Sequence, residues 1–276
     1  MFKVGLVTGC LVLFSLSSIA QNNLETFDYI IPAPKDVIKV ISESPQKELS
    51  ARFKILNWNI EKMKAQDKWV NDFHMISAGV DLFTIQEGVS DSFFQNELIA
   101  KNFYEWVYFI SWVRDEDLSS SGLVTGGVAK SVSRTFARTD HLEPIIKTPK
   151  LTSANNYKIQ GLDKELMLLN IHAINFVSKA KFKSHIAKSL QLIKNHRGPV
   201  IFVGDFNTWN DARFELLIEM TAAAGLKFFD FKRPDVSGFH SGFDHFFGRG
   251  IKVNKIEMLD IRSSDHFPIL ADVTIL

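Results

Sequence analysis

The chain has 276 residues and nearly balanced charge, with 32 Lys and Arg against 31 Asp and Glu. That balance gives no global basic field for gathering nucleic acid, so an anionic partner needs a local site. Hydrophobic residues make up 46% and charged residues 23%, which excludes disorder and fibrous repeats as the main state. The length suits one large α/β domain.

Met1-Phe2-Lys3, the apolar residues 4–16 and the small residues Ser17, Ser18 and Ala20 predict a signal peptide over residues 1–20, cleaved after Ala20. The alternative is an uncleaved N-terminal anchor, but the apolar run is shorter than the roughly 20 residues a span requires. The protein is therefore expected to be exported, to the periplasm or beyond. The single cysteine, Cys10, lies inside this segment, so a chain starting at Gln21 has neither disulfides nor zinc–thiolate sites. Loss of Lys3 leaves 31 basic residues against 31 acids, a formal charge of zero.

Residues 21–50 are polar, with Pro32, Pro34 and Pro45, and read as a leader or linker before one domain over residues 51–276. Residues 53–58 predict a strand, and Trp69, Phe73 and Ile76 recur at helical spacing. Strands are expected over 81–86, over 104–113 and 122–137 with a Ser/Gly-rich turn between them, and over 166–171. Phe182, Ile186, Leu190 and Ile193 mark an amphipathic helix that Gly198-Pro199 ends, and residues 200–203 a further strand. Phe214, Leu217 and Ile218 fall on a helix closed by Gly225, followed by short strands near Phe228, Phe243, Ile256 and Ile269. Many strands with few long helices predict an α/β sandwich of sheets covered by helices.

The ends of the apolar strands carry the informative residues. Asn59, Glu87, His172, then Asp205 and Asn207, each follow an apolar run, and Asp244 and Asp265-His266 precede one. Taken singly, the Asx residues could cap turns and His172 could be a core histidine. Jointly, they place carboxylates, imidazoles and amides at many strand ends, where α/β folds assemble sites. That collection suits a hard divalent cation and a phosphate ester: carboxylates for the ion, amides for phosphate oxygens, and an Asp or His for a water. The remaining histidines read as structural, His245 least securely because it adjoins Asp244.

Six motifs now stand in order: Ile55-Leu56-Asn57-Trp58-Asn59-Ile60, Ile85-Gln86-Glu87, Asn170-Ile171-His172-Ala173-Ile174-Asn175, Gly204-Asp205-Phe206-Asn207, Phe243-Asp244-His245-Phe246-Phe247 and Ser264-Asp265-His266-Phe267-Pro268. Together they resemble the endonuclease/exonuclease/phosphatase superfamily, the fold of deoxyribonuclease I, and within it an uncharacterised bacterial branch. The resemblance implies a four-layer α/β sandwich, two central and mostly antiparallel β-sheets flanked by helices, with the site at one edge of the sheets. It implies Glu87 as principal metal ligand, assisted by Asn59 and Asp265, for Mg²⁺ or alternatively Mn²⁺ or Ca²⁺. Glu61 falls where some relatives have a second acid. The resemblance further implies that Asp205 orients or deprotonates the attacking water and that Asn207 holds a phosphate oxygen. His266, oriented by Asp244, acts as base or stabilises the phosphorane, and His172 contacts phosphate or protonates the leaving oxygen. Asn175 adds a phosphate contact.

The expected activity is that of an exported metal-dependent phosphodiesterase, a nuclease before a phospholipid or sugar-phosphate esterase, and last a non-catalytic binding module. Arg114, Arg134, Arg138, Lys179, Lys181 and Lys183 are candidates for a phosphate-binding rim. The expected partner is a phosphate-ester substrate, nucleic acid foremost. No stable protein partner is implied, and the expected state is monomeric.

Overall fold

The computed structural model describes residues 29–100, 103–234 and 242–276. The signal peptide expected over 1–20, and His240, lie outside the described residues. In chain order the strands are β1 (Tyr29–Ile30), β2 (Ile38–Ser42), β3 (Arg52–Asn59), β4 (Leu82–Val89), β5 (Glu105–Arg114), β6 (Ser120–Gly127) and β7 (Ser133–Arg138). They continue as β8 (Leu151–Lys158), β9 (Glu165–His172), β10 (Val200–Asp205), β11 (Lys227–Phe228), β12 (Asp244–Arg249), β13 (Ile251–Met258) and β14 (Ile269–Ile275). The α-helices are α1 (Gln66–Ile76), α2 (Ser92–Ile99), α3 (Lys179–Gln191) and α4 (Asp211–Ala223).

Two sheets result. The first runs β1-β5-β6-β4-β3-β14-β13, with β2 also on β5, and the second runs β11-β12-β10-β9-β8-β7. Pairing is antiparallel except for β3 with β4 and β9 with β10. These two are the parallel joints that α1 and α3 cross over, as parallel neighbours require. Asp91, Ser178 and Asn210 start α2, α3 and α4 by accepting a backbone N–H of the first turn.

Strand alternation builds four layers. On β3, Phe53 and Ile55 face a core shared with Leu168 of β9 and Ile201 and Val203 of β10, between the sheets. The alternate residues Leu56 and Trp58 face outward onto Trp69 and Phe73 of α1. On β9 and β10, Leu169, Ile171, Val200 and Phe202 face outward onto Phe182 and Ile186 of α3 and Leu217 of α4. The order is α1/α2, sheet, sheet, α3/α4, the expected sandwich.

Three stretches differ from the sequence reading. The run 122–137 divides into β6 and β7, which belong to different sheets; Gly126 and Gly127 let Trp106 and Tyr157 close over the end of β6, where a Cβ would meet their rings. Residues 151–158 and 92–99, unread as elements, form β8 and α2. Residues 29–50, read as a polar leader, add β2 to the first sheet and place Val37 and Leu49 fully inside the core.

Candidate active site

The same alternation that fills the inter-sheet core turns polar toward one end. On β3 the inward residues run Phe53, Ile55, Asn57, Asn59; on β9, Leu166, Leu168, Asn170, His172; on β10, Ile201, Val203, Asp205. Inward positions of two packed sheets face each other, so the sequence change from apolar to polar along each strand becomes one polar cluster.

The inner part of that cluster is a buried hydrogen-bond network. Gln86 Nε2 donates to Asn57 Oδ1 at 2.8 Å and to Asn170 Oδ1 at 2.6 Å, and Thr84 Oγ1 donates to Asn57 Oδ1 at 2.9 Å. Asn57 Nδ2 reaches Asp244 Oδ1 at 3.2 Å, and Asn170 Nδ2 donates to the carbonyls of Ile85 and Val124 at 3.1 Å. This layer joins the two sheets and supports the site above it. Sequence reasoning placed Asn57, Gln86 and Asn170 in motifs but gave neither them nor Thr84 a role; the signal was their inward parity.

Above it lies a cleft of 350 Å³ whose wall includes Asn59, Glu87, His172, Asp205, Asn207 and His266. Asn175 and Asp265 line it too. Asp244 stands behind His266, with Asp244 Oδ2 accepting from His266 Nδ1 at 2.6 Å. Every residue proposed from the strand ends is thus brought to one place.

Local backbone geometry aims these side chains. The β4–β6 ladder shifts register between Ile85 and Gly88, and Glu87 sits within that bulge at φ 58°. A bulge re-aims a side chain, and a left-handed glutamate is strained. Asn207 is left-handed as well, at φ 51°. Gly204 has φ 145°, and a Cβ there would lie 2.1 Å from the Ile171 carbonyl oxygen. Only glycine allows β10 to approach β9 so closely, and that approach sets Asp205 opposite His172 in the register.

Asp205 is the hub. Its Oδ2 accepts from Asn59 Nδ2 at 3.1 Å and lies 3.5 Å from His172 Nε2 and 3.8 Å from His266 Nε2. Its Oδ1 accepts the Asn207 N–H at 2.9 Å. Burial, and then the neighbouring Asp244, raise its carboxyl to about 6 against the lowering influence of His266. His266 is raised too, but for a different reason. Burial alone would lower it, but Asp244 and Asp205 outweigh burial and raise it to about 10. Burial, followed by the Lys150 ammonium, holds His172 well below the ordinary imidazole value. Near pH 7 the trio is therefore a neutral His172, an ionised Asp205 and an imidazolium at His266.

Burial alone would raise the Glu87 carboxyl, but the facing His172, Lys62 and Lys150 outweigh it and hold it at about 2. Lys62 Nζ donates to Glu87 Oε2, and His172 Nε2 is 3.9 Å from Glu87 Oε1. Glu87, Asp265 and the Asn59 carboxamide present oxygen donors of the kind Mg²⁺ takes, usually one or two carboxylates with waters completing the shell. Among the described residues no three His, Cys, Asp or Glu side chains stand together as a ready cage. An ionised carboxylate beside a carboxamide fits that sparser kind of site, with Lys62 sharing or yielding the Glu87 oxygen.

Two expected contacts have other duties. Asn207 Nδ2 donates to the Ala173 carbonyl at 2.8 Å and lies 3.5 Å from Asp205 Oδ2, so one of its two N–H groups is engaged away from substrate. Asn175 Oδ1 accepts from the Phe176 N–H at 2.8 Å and the Trp209 indole N–H at 3.0 Å. Any phosphate contact falls to the Asn175 Nδ2.

The basic rim is not found at the cleft. Among the described residues lining it, Lys62 and Lys150 are the only Lys or Arg. Arg134 is paired with the fully buried Glu105, Arg138 donates to the Pro32 carbonyl, and Arg114 pairs with Asp117. Lys179, Lys181 and Lys183 lie exposed on α3. These side chains serve folding or solvation, Arg134 and Arg138 because residues far along the chain supplied their partners. Lys62 and Lys150 carried no motif signal. Lys62 is swung into the cleft by Glu61, Lys62 and Met63, all left-handed with φ between 47° and 54°. Glu61 itself pairs with Lys64. His245 is a core histidine, held by Thr208 and Arg233.

No protein-family model matches the chain. It is similar to a UPF0294 protein of Vibrio parahaemolyticus, 28% identical over 249 residues and covering 86% of this chain and 84% of the relative. UPF0294 proteins are an uncharacterised bacterial family. Its structure is similar to an endonuclease/exonuclease/phosphatase from Beutenbergia cavernae, with a TM-score of 0.62 and 16% identity over 81% of this chain and 72% of the other. It is likewise similar to the human Nocturnin catalytic domain solved with a bound sulfate anion, with a TM-score of 0.63 and 15% identity over 89% of this chain and all of that one. At these identities the likeness establishes the fold, which is the one the motifs implied.

Proposed function

We propose that this chain, built on the sandwich shared with endonuclease/exonuclease/phosphatase proteins, is an exported phosphodiesterase that hydrolyses nucleic-acid phosphodiester bonds with a divalent cation. The observation that carries the reading is the meeting of His172, His266 and Asn59 on one oxygen of Asp205, beside Glu87, in a single cleft.

Each group has a role that its protonation state permits. Ionised Asp205 accepts a proton from the attacking water, whose oxygen bonds to phosphorus. The His266 imidazolium, kept charged by Asp244, donates toward the phosphoryl oxygens, where negative charge grows as the ester P–O bond breaks. Neutral His172 and the Asn59 amide fix Asp205, and Lys150 adds positive charge on the cleft wall. A divalent cation, when held by Glu87 with Asn59 and Asp265, supplies Lewis-acid polarisation of the phosphoryl group and neutralises the departing oxygen.

The test is a metal-dependent screen of the protein starting at Gln21 against plasmid DNA, RNA, a small phosphodiester, a phosphomonoester and sphingomyelin. Nicking of DNA or cleavage of RNA with Mg²⁺, abolished by chelator and by Asp205→Ala, is the expected result. Release of phosphate or phosphocholine with nucleic acid left intact selects the other esterases. Binding without turnover selects a non-catalytic module.

A further inference from the structure

The mouth of the cleft carries two exposed aromatic rings, one held through its own indole N–H and the other through its backbone. Trp209 is 49% exposed and Phe176 62% exposed, and both line the cleft that holds Asp205 and His266. Exposed rings on a surface are ordinarily free to choose rotamers, but that of Trp209 is not. The Trp209 indole N–H donates to Asn175 Oδ1, and the Arg213 guanidinium lies 4.8 Å from the centre of the ring. Arg213 is itself buried and donates to the carbonyls of Asn207 and Val177. The backing of the Trp209 ring is therefore tied to the same Asn207 that braces Asp205.

Phe176 is held by different means. It stands at φ 52°, a left-handed conformation that is a genuine outlier for a bulky side chain. Its N–H donates to the same Asn175 Oδ1, and the Asn175 N–H donates to Glu143 Oε1 at 2.9 Å. One carboxamide oxygen, anchored through a buried glutamate, pins the Trp209 ring and the Phe176 backbone at the opening. Backbone strain at Phe176 and a hydrogen bond at Trp209 thus keep two exposed rings in place at the opening, an arrangement that makes sense when a ligand covers them.

The occupant is flat rather than flexible. An acyl chain adapts to any apolar surface and gains nothing from rings locked in place, whereas a planar heterocycle gains from a rigid face, and more from one backed by a guanidinium. Charge on the lysines does not select the occupant, because the two cleft lysines, Lys62 and Lys150, are already paired with Glu87 and Glu143. A nucleoside meets both conditions, since its base lies a few bonds from its phosphate. In a duplex that base is stacked and paired, so only a single strand can turn it onto the rings.

We infer that Trp209 and Phe176 form a nucleobase-stacking subsite that makes single-stranded nucleic acid the substrate of this cleft. The inference rests on the phosphodiesterase reading and adds the substrate class to it.

The test measures binding to the Asp205→Asn protein, which keeps substrate intact. The probes are a single-stranded oligothymidylate, the same oligomer with abasic sites, its duplex, and sphingomyelin–phosphatidylcholine vesicles. The single strand is expected to bind roughly 10- to 100-fold tighter than the abasic oligomer and the duplex. Trp209→Ala and Phe176→Ala are each expected to remove most of that preference, with Trp209→Phe restoring part of it. Equal binding of base-bearing and abasic oligomers, a preference surviving both alanine variants, or binding of vesicles in place of oligomers would overturn the inference.

A parallel assay of the unsubstituted protein on glycerophosphocholine separates the two readings. Hydrolysis of this small diester without any base preference sinks the stacking subsite alone. No hydrolysis of either the diester or the oligomer sinks the phosphodiesterase reading and this inference with it.

Discussion

His266 Nδ1 stands 2.6 Å from Asp244 Oδ2, with Asp244 wholly buried and His266 4% exposed. This pairing holds the imidazole in its charged form and, in the proposed mechanism, leaves Asp205 as the base.

The pH dependence of the reaction follows. The proposed mechanism needs Asp205 ionised, above about 6, and His266 protonated, below about 10. Turnover is expected to rise through pH 6, hold, and fall near pH 10. Asp244→Asn removes the largest influence holding His266 up, so the alkaline limb moves toward neutrality and turnover at pH 9 falls about a hundredfold. A pH–rate profile of both proteins reads this directly. An unmoved alkaline limb would assign it to another group. The same pairing contributes stability fully below the ordinary imidazole value of 6.5, and loses it as the pH climbs through about 10.

Glu87 carries the opposite sign. Its carboxyl is depressed to about 2, so its stabilising contacts are complete above the ordinary value of 4.5 and fade as the pH drops toward 2. Glu87→Gln keeps the shape of the side chain and removes the charge. It is expected to abolish Mn²⁺ binding in calorimetry and to lower Mg²⁺-supported turnover by about a hundredfold or more, while the fold survives. Undiminished Mn²⁺ binding by this variant would move the metal site elsewhere.

Asn57 is expected to matter for stability without touching substrate. Asn57→Ala strips partners from Thr84, Gln86 and Asp244, all fully buried. Orphaned buried polar groups cost about 1–3 kcal/mol each, so urea denaturation should show a loss near the top of that range. A loss below ~0.5 kcal/mol would mean that the inter-sheet network is not a structural joint.

Arg134 separates folding from substrate binding. Its partner Glu105 is 0% exposed and also accepts from the Ser131 N–H and hydroxyl. Arg134→Ala leaves a buried charge unpaired, which costs about 3–5 kcal/mol. The expected outcome is a lowered denaturation midpoint with KM for the phosphodiester unchanged. A raised KM at unchanged stability would return Arg134 to the substrate rim.

Much of this molecule is legible in its residues. Period-two alternation on β3, β9 and β10 assigns each side chain to the inter-sheet or the helix-covered face, and the change from Leu, Ile and Val to Asn, His and Asp marks the end at which the site forms. The Gly204-Asp205-Phe206-Asn207 and Ser264-Asp265-His266 runs located the acid and the imidazole because their spacing is local. Apolar periodicity likewise found α1, α3 and α4. It missed α2, an eight-residue helix, and β8, whose polar inward residues Ser153 and Asn155 look like loop until a second sheet covers them.

Only the tertiary structure decided who meets whom. Asn59 finds Asp205 across 146 residues, and Ser264 finds the Asn59 carbonyl across 205. Whether a lysine pairs with the site's glutamate, as Lys62 does, or stays in solvent, as Lys183 does, depends on distances that no neighbouring residue encodes. Protonation states follow the same logic. They are set by burial and by the summed field of charges contributed by β4, β10, β12 and the loop before β14, and that sum exists only once the two sheets have closed on each other.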